Sequence, residues 1–184
     1  VAYILNDSKA KILFVGEDFF GLVDKILKDV PSIEKVICMS GNHNDWPSYQ
    51  KWRDDQEETI CKRNAELKDV AIQMYTSGTT GNPKGVMLSH GGILSNCEGA
   101  QEILNQLVQN SEPTFLTWLP LSHSYEHAVQ FVQISLGAKI YYAESLEKLL
   151  SNMSIAKPTI MTAVPRFYQN LYSKISMNFS KQKG

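Results

Sequence analysis

Eleven residues constrain this chain more than any others: Tyr75-Thr76-Ser77-Gly78-Thr79-Thr80-Gly81-Asn82-Pro83-Lys84-Gly85. They hold three glycines, four aliphatic hydroxyls and one lysine. Glycine allows positive φ and close approach of backbone N–H groups to a ligand. Successive N–H groups in such a turn form a nest for anions. Thr76, Ser77, Thr79 and Thr80 add donors, and Lys84 adds a positive charge suited to phosphate oxygens. The pattern reads as a cradle for polyphosphate. The competing reading is a flexible Gly/Ser/Thr linker, but linkers of that type rarely sit between apolar runs such as Val70–Tyr75 and Val86-Met87-Leu88.

The common P-loop has Gly before the Lys, Ser or Thr after it, and then a helix. Here Pro83 precedes Lys84, Gly85 follows, and Val86-Met87-Leu88 has the composition of a strand. A loop between two strands has no helix dipole to help it and must bind through its nest and side chains.

The stretch from Tyr75 to Gly85, continued by Val86-Met87-Leu88-Ser89-His90, closely resembles the phosphate loop of the AMP-forming adenylating enzymes. Those are the acyl-CoA synthetases, the firefly-type luciferases and the adenylation domains of peptide synthetases. Leu119-Pro120-Leu121-Ser122-His123 with Glu126 following is similar to the long-chain fatty acyl-CoA synthetase branch. So are Gly137–Ser145, Pro158–Tyr168 and the opening Ala2–Ser8, so that the resemblance covers nearly the whole chain and is weakest over Gly41–Glu66.

The resemblance implies an ATP-dependent long-chain fatty acid–CoA ligase that forms acyl-AMP and then acyl-CoA, with ATP, Mg²⁺ and CoA required. It implies phosphate contacts from Thr76, Ser77, Gly78, Thr79, Thr80, Gly81 and Lys84, and Mg²⁺ beside the Thr76 hydroxyl. It places His123 and Glu126 at the catalytic strand end. Read without the family, His123 is better explained as a residue that caps or packs beside the strand end. The family usually carries Arg where this chain has His127; imidazole is shorter and mostly neutral near pH 7, which leaves an ion-pair role there in doubt. Two alternatives stay open: an adenylating enzyme for an aryl or amino acid, and a non-catalytic nucleotide-binding module.

The family also has an acidic Mg²⁺ ligand in a Tyr-Gly-x-Thr-Glu stretch, an Asp on the ribose and a Lys in a small C-terminal domain. No residues of this chain match them. The chain starts at Val1 with what reads as the end of a helix. The expectation is therefore an internal piece, residues 1–184 being part of the large N-terminal AMP-binding domain without the small C-terminal domain, and inactive by itself.

Short apolar runs elsewhere support the fold: strands are expected at Ile12–Val15, Val36–Cys38, Val70–Tyr75, Gly85–Ser89, Phe115–Leu119, Lys139–Tyr142 and Thr159–Ala163. Phe19, Leu22, Val23, Ile26 and Val30 repeat at helical spacing up to Pro31. Ile93, Cys97, Ala100, Leu104 and Leu107 mark a helix that starts near His90 and exits through Asn110–Pro113. Strands alternating with helices predict an α/β fold with a mostly parallel sheet flanked by helices. Ten of the seventeen residues from Arg53 to Asp69 are charged, which predicts a solvated surface. His43, in Gly41-Asn42-His43-Asn44-Asp45, is expected to be solvated too. Tyr141, Tyr142, Phe167, Tyr168 and Tyr172 fit an acyl tunnel, but aromatics at such spacing are more often core.

With 18 basic and 19 acidic residues, charge gives no reason to expect a nucleic-acid partner. Cys38, Cys61 and Cys97 show no metal-ligand spacing and read as reduced thiols of a cytoplasmic protein. No apolar run approaches the ~18 residues of a membrane span, which leaves peripheral membrane contact open.

Overall fold

A computed structural model describes residues 1–59, 64–76, 81–108 and 112–182. They gather into two compact units, Val1–Ser89 and His90–Gly184.

The first unit opens with a short helix, α1 (Ala2–Ser8), closed by Lys9 in the left-handed region. Strand β1 (Ile12–Val15) lies parallel to β2 (Lys35–Cys38), with Ile12 opposite Lys35 and Val15 opposite Cys38. Parallel neighbours need a crossover. Here it is a 3-10 turn at Glu17–Phe19, helix α2 (Phe20–Ile26) and a second 3-10 turn at Leu27–Asp29. The helical spacing from Phe19 to Val30 is thus realised, with tightened ends. Val15, Val23 and Val36 are its buried centre, covered by Leu13, Phe20, Leu27, Ile33 and Trp46. A further helix, α3 (Tyr49–Asp54), is capped by Ser48, whose hydroxyl accepts from Lys51 N–H at 3.3 Å.

His43 corrects the expectation of a solvated side chain. Its ring stacks on Trp46 with centroids 3.7 Å apart and meets Phe20 edge-on at 5.4 Å. Nδ1 accepts from Asp45 N–H at 3.2 Å and Nε2 faces Asp24 at 3.4 Å. A polar neighbourhood in sequence concealed an aromatic one in space.

The unit ends in a hairpin of β3 (Val70–Thr76) and β4 (Lys84–Ser89), paired antiparallel.

The second unit begins with α4 (His90–Val108), with His90 its first residue. Strand β5 (Thr114–Thr117) runs parallel to β6 (Lys139–Tyr142), and α5 (Ser124–Ser135) makes the crossover. Helices α6 (Leu149–Ala156) and α7 (Pro165–Gln182) follow. Leu116, Leu149 and Ala156 are buried together, with Trp118, Tyr141, Met153, Met161 and Phe167 packed around them.

Among the described residues the strands form three pairs, two parallel and one antiparallel. The architecture is α/β with helices against parallel strands, as expected. Three details differ. β5 stops at Thr117 rather than Leu119, because the chain turns at Pro120, whose carbonyl accepts from His123 N–H. Thr159–Ala163 is not a strand: Ile160 makes an isolated bridge to Phe115, with the N–H groups of Thr159 and Ile160 both donating to Thr114 O. Of the five aromatics, Tyr141 and Phe167 are core, whereas Tyr142, Tyr168 and Tyr172 are exposed. The helix exit at Asn110-Ser111 lies outside the described residues.

Candidate functional site

In the first unit, the hairpin register builds the candidate phosphate loop. Thr76 is the last residue of β3 and Lys84 the first of β4, and the two stand directly opposite each other. Opposed residues of an antiparallel pair share a face, with Cβ atoms about 4.5–5.5 Å apart. A hydroxyl and an ammonium therefore flank the mouth of the glycine-rich turn. Both residues are exposed, and Lys84 makes no ion pair among the described residues. Ser77, Gly78, Thr79 and Thr80 lie outside the described residues. Gly81 has φ +141°, and a Cβ there would meet nothing within 4 Å. Its backbone conformation, and not crowding, demands glycine at that point.

Gly85 has a different reason. A Cβ on it would lie 2.3 Å from Gln73 Nε2 and 3.0 Å from Tyr75 Cζ. Those two side chains cross over it from the partner strand. The phenol of Tyr75 donates to Asp7 Oδ2 at 2.6 Å, and Gln73 Nε2 donates to the phenolic oxygen at 3.0 Å. Burial together with the Asp7 carboxylate pushes the Tyr75 phenol up to about 12.

In the second unit, the candidate residues lie where β5 gives way to α5. His123 is the N-cap residue, extended at φ −84°, ψ 134°, with its imidazole exposed and making no capping bond. Three residues on, Glu126 is wholly buried. Its Oε2 accepts from Thr162 Oγ1 at 3.0 Å, while Oε1 has no partner among the described residues. The Thr117 hydroxyl faces the same carboxyl but is engaged with Gln133, whose Nε2 donates to it at 3.0 Å. Burial raises the Glu126 carboxyl above the usual carboxylate range, only partly opposed by the Thr162 and Thr117 hydroxyls. The structure thus does not join His123 and Glu126: one faces solvent and the other faces the interior.

His127 takes a local role. Its Nδ1 lies 2.9 Å from Leu121 O, a carbonyl that only accepts, so Nδ1 carries the proton. The ring closes the 121–127 turn and rests 5.3 Å from Phe131. Trp118 Nε1 donates to Thr162 O at 2.8 Å, so Thr162 is held through both its backbone and its hydroxyl. Beside Thr162 is a cavity of ≈ 340 Å³, walled chiefly by Ile103, Leu104, Phe115, Tyr125, Val129 and Val132.

The AMP-binding enzyme family profile matches residues 1–184. The chain belongs to the AMP-binding enzyme family. It is 37% identical over 192 residues to long-chain-fatty-acid–CoA ligase 5 of Rattus norvegicus, and 34% identical over 196 residues to long-chain-fatty-acid–CoA ligase 1 of Homo sapiens. Each comparison covers 95% of this chain and 28% of the relative. The crystal structure of a long-chain-fatty-acid-CoA ligase from Archaeoglobus fulgidus superposes with a TM-score of 0.77 at 26% identity, covering 96% of this chain and 34% of that one. The chain thus spans less than a third of the length of these curated relatives.

Sequence reasoning missed Thr162, Thr117 and Gln133, the polar groups gathered around Glu126. Thr162 fell in a segment read as a plain strand, and nothing in its neighbours announces a carboxyl partner 36 residues away. It also missed Asp7, which reaches Tyr75 across 68 residues. No cluster of three or more His, Cys, Asp or Glu suited to a metal occurs among the described residues. Cys38 and Cys97 are free and buried, and Cys61 lies outside the described residues. No helix among the described residues is long and apolar enough to cross a membrane.

Proposed function

We propose that this chain supplies the polyphosphate loop and part of the acyl-binding wall of an ATP-dependent, AMP-forming long-chain fatty acid–CoA ligase. One observation carries the reading: the register that sets the Thr76 hydroxyl opposite the Lys84 ammonium at the mouth of the glycine-rich turn.

The residues suit the ligand. An ammonium, a row of hydroxyls and a turn with open space at Gly81 are what a polyphosphate needs. In the proposed reaction the fatty carboxylate attacks the α-phosphorus of ATP. The bond to the bridging oxygen breaks, and acyl-AMP and pyrophosphate form. The CoA thiol, losing its proton, then attacks the acyl carbon and AMP leaves. Such chemistry asks the protein mainly to position groups and to neutralise charge. Lys84, with Ser77, Gly78, Thr79, Thr80 and Gly81, holds the β- and γ-phosphates as they become the leaving group. Thr76 would offer one neutral oxygen to Mg²⁺, a cation that takes oxygen ligands. When bound, Mg²⁺ supplies neutralisation of the phosphate charge.

In this reading His123, exposed where α5 begins, meets substrate near the carboxylate. Glu126, fully enclosed, serves by fixing Thr162 and the start of α5, not by touching substrate. The apolar cavity beside Thr162 suits an alkyl chain. Buried, unpaired Cys38 and Cys97 accord with a reducing, cytoplasmic setting.

Exchange of labelled pyrophosphate into ATP tests the proposal. The parent enzyme is expected to exchange only with a fatty acid present, with long chains preferred over aryl and amino acids. Residues 1–184 alone are expected to give no exchange above a protein-free blank. Exchange driven by an aryl or amino acid and not by fatty acids would overturn the substrate assignment.

A further inference from the structure

The hydrogen-bonded chain Gln73–Tyr75–Asp7 has no part in the phosphate chemistry, yet it sits one residue from it. Side chains alternate across a strand, so Gln73 and Tyr75 share the face opposite that of Thr76. Tyr75 pairs with Gly85, and in the next step of the ladder Thr76 pairs with Lys84. The phenol therefore cannot reach a ligand held by Thr76 and Lys84, and can act only through the backbone between them.

Its acceptor is fixed. Asp7 lies on α1, and the neighbouring Asn6 amide donates to Asp29 O at 2.8 Å, tying that helix to the end of the β1–β2 crossover. The 2.6 Å bond from the Tyr75 hydroxyl to Asp7 falls in the range of charge-assisted O–H···O⁻ bonds. Gly85 belongs to the same device, because any side chain there would strike Gln73 and Tyr75. Gly85, next to Lys84, is there to let Gln73 and Tyr75 cross the hairpin.

We propose that Asp7 and Tyr75 are positioning residues for the nucleotide site: their bond, closed over Gly85, pins the loop-bearing end of the hairpin to α1 and holds Thr76 and Lys84 in register. The proposal rests on reading the loop as a polyphosphate cradle. The raised pKa of Tyr75, about 12, accords with a phenol kept protonated by burial and by Asp7. The other groups around the phenol are Ser8 and Tyr3 of α1 and Gln73 of its own strand.

Steady-state kinetics of the parent ligase, with ATP varied, test this in Tyr75→Phe, Asp7→Ala and Asp7→Asn. Tyr75→Phe and Asp7→Ala are expected to raise KM for ATP about tenfold, equivalent to ~1.4 kcal/mol, with KM for the fatty acid changed less than about twofold. Asp7→Asn keeps an acceptor and is expected to stay near wild type. Gly85→Ala is expected to raise KM for ATP, and Gln73→Ala added to it to restore part of the loss. A purely structural role would lower the melting temperature and leave KM for ATP alone; that result in Tyr75→Phe and Asp7→Ala would overturn the proposal.

Lys84→Ala in the same assay separates the two levels. If Lys84→Ala raises KM for ATP and Tyr75→Phe does not, only this inference falls. If neither does, the cradle reading falls and takes the inference with it. Ultraviolet titration of the phenols gives a second readout: Asp7→Ala is expected to lower the raised pKa of Tyr75, and an unchanged profile would overturn the bond to Asp7.

Discussion

Replacing Glu126 with glutamine should make the protein more stable at neutral pH, an unusual result for a wholly buried residue. The side chain is 0% exposed, Oε2 is satisfied by Thr162, and Oε1 is satisfied by nothing among the described residues. Burial raises the carboxyl pKa from its ordinary 4.5, with hydrogen bonds from Thr162 and Thr117 opposing the rise only in part. The folded state therefore binds a proton that the unfolded state has released. Stability is full below the unfolded pKa and is lost as pH rises through the folded pKa. The limiting slope for one such group is ~1.4 kcal/mol per pH unit. Glutamine keeps a carbonyl for Thr162 and has no charge to bury, so its profile should lack that fall. Glu126→Ala strands the Thr162 hydroxyl, at ~1–3 kcal/mol, and deletes a buried methylene, at ~0.8 kcal/mol, about 2–4 kcal/mol in all. Urea unfolding of the three proteins across a pH series from below 4.5 upward reads the difference. Parallel profiles for wild type and Glu126→Gln would refute the reasoning, because they would mean the buried carboxyl titrates no differently when the chain unfolds.

Three further outcomes concern the loop in the parent enzyme. Lys84→Ala should remove a charge-assisted contact of ~1.5–3 kcal/mol, a loss of roughly 10- to 150-fold in kcat/KM for ATP. Thr76→Val keeps the shape of the side chain and deletes the hydroxyl; the Mg²⁺ concentration giving half-maximal rate should rise while the melting temperature holds. Gly81→Val should abolish activity through the backbone, since φ +141° is strained for valine although its Cβ has open space. Near-wild-type turnover in that variant would show a tolerant linker.

Much of this was legible from short-range pattern. The runs Ile12–Val15 and Lys139–Tyr142 became strands as spaced, and Phe19 to Val30 became the crossover helix with its 3-10 ends. The two strands around the loop were readable because apolar runs bracket a glycine-rich segment, whereas their antiparallel pairing came only with the structure. What escaped depends on partners distant in sequence. Whether Thr159–Ala163 pairs along its length depends on what lies beside β5, and only Ile160 finds a bridge there. His43 sits among Asn and Asp in sequence, yet Trp46, three residues on, and Phe20 enclose its ring. Its solvation was misjudged because composition averages over neighbours in sequence, whereas stacking chooses neighbours in space. Glu126 was singled out by a family pattern that carries no information about burial. Its enclosure by Thr162 and the Thr117–Gln133 pair required the fold.

The central claim is that the turn between Thr76 and Lys84 binds the β- and γ-phosphates of ATP. Equilibrium binding of ATP and of AMP to the parent enzyme, wild type and Lys84→Ala, tests it most directly. The account predicts that wild type binds ATP more tightly than AMP, and that Lys84→Ala loses most of that preference while its affinity for AMP is unchanged. Equal binding of ATP and AMP by wild type, or a preference that survives in Lys84→Ala, would contradict it.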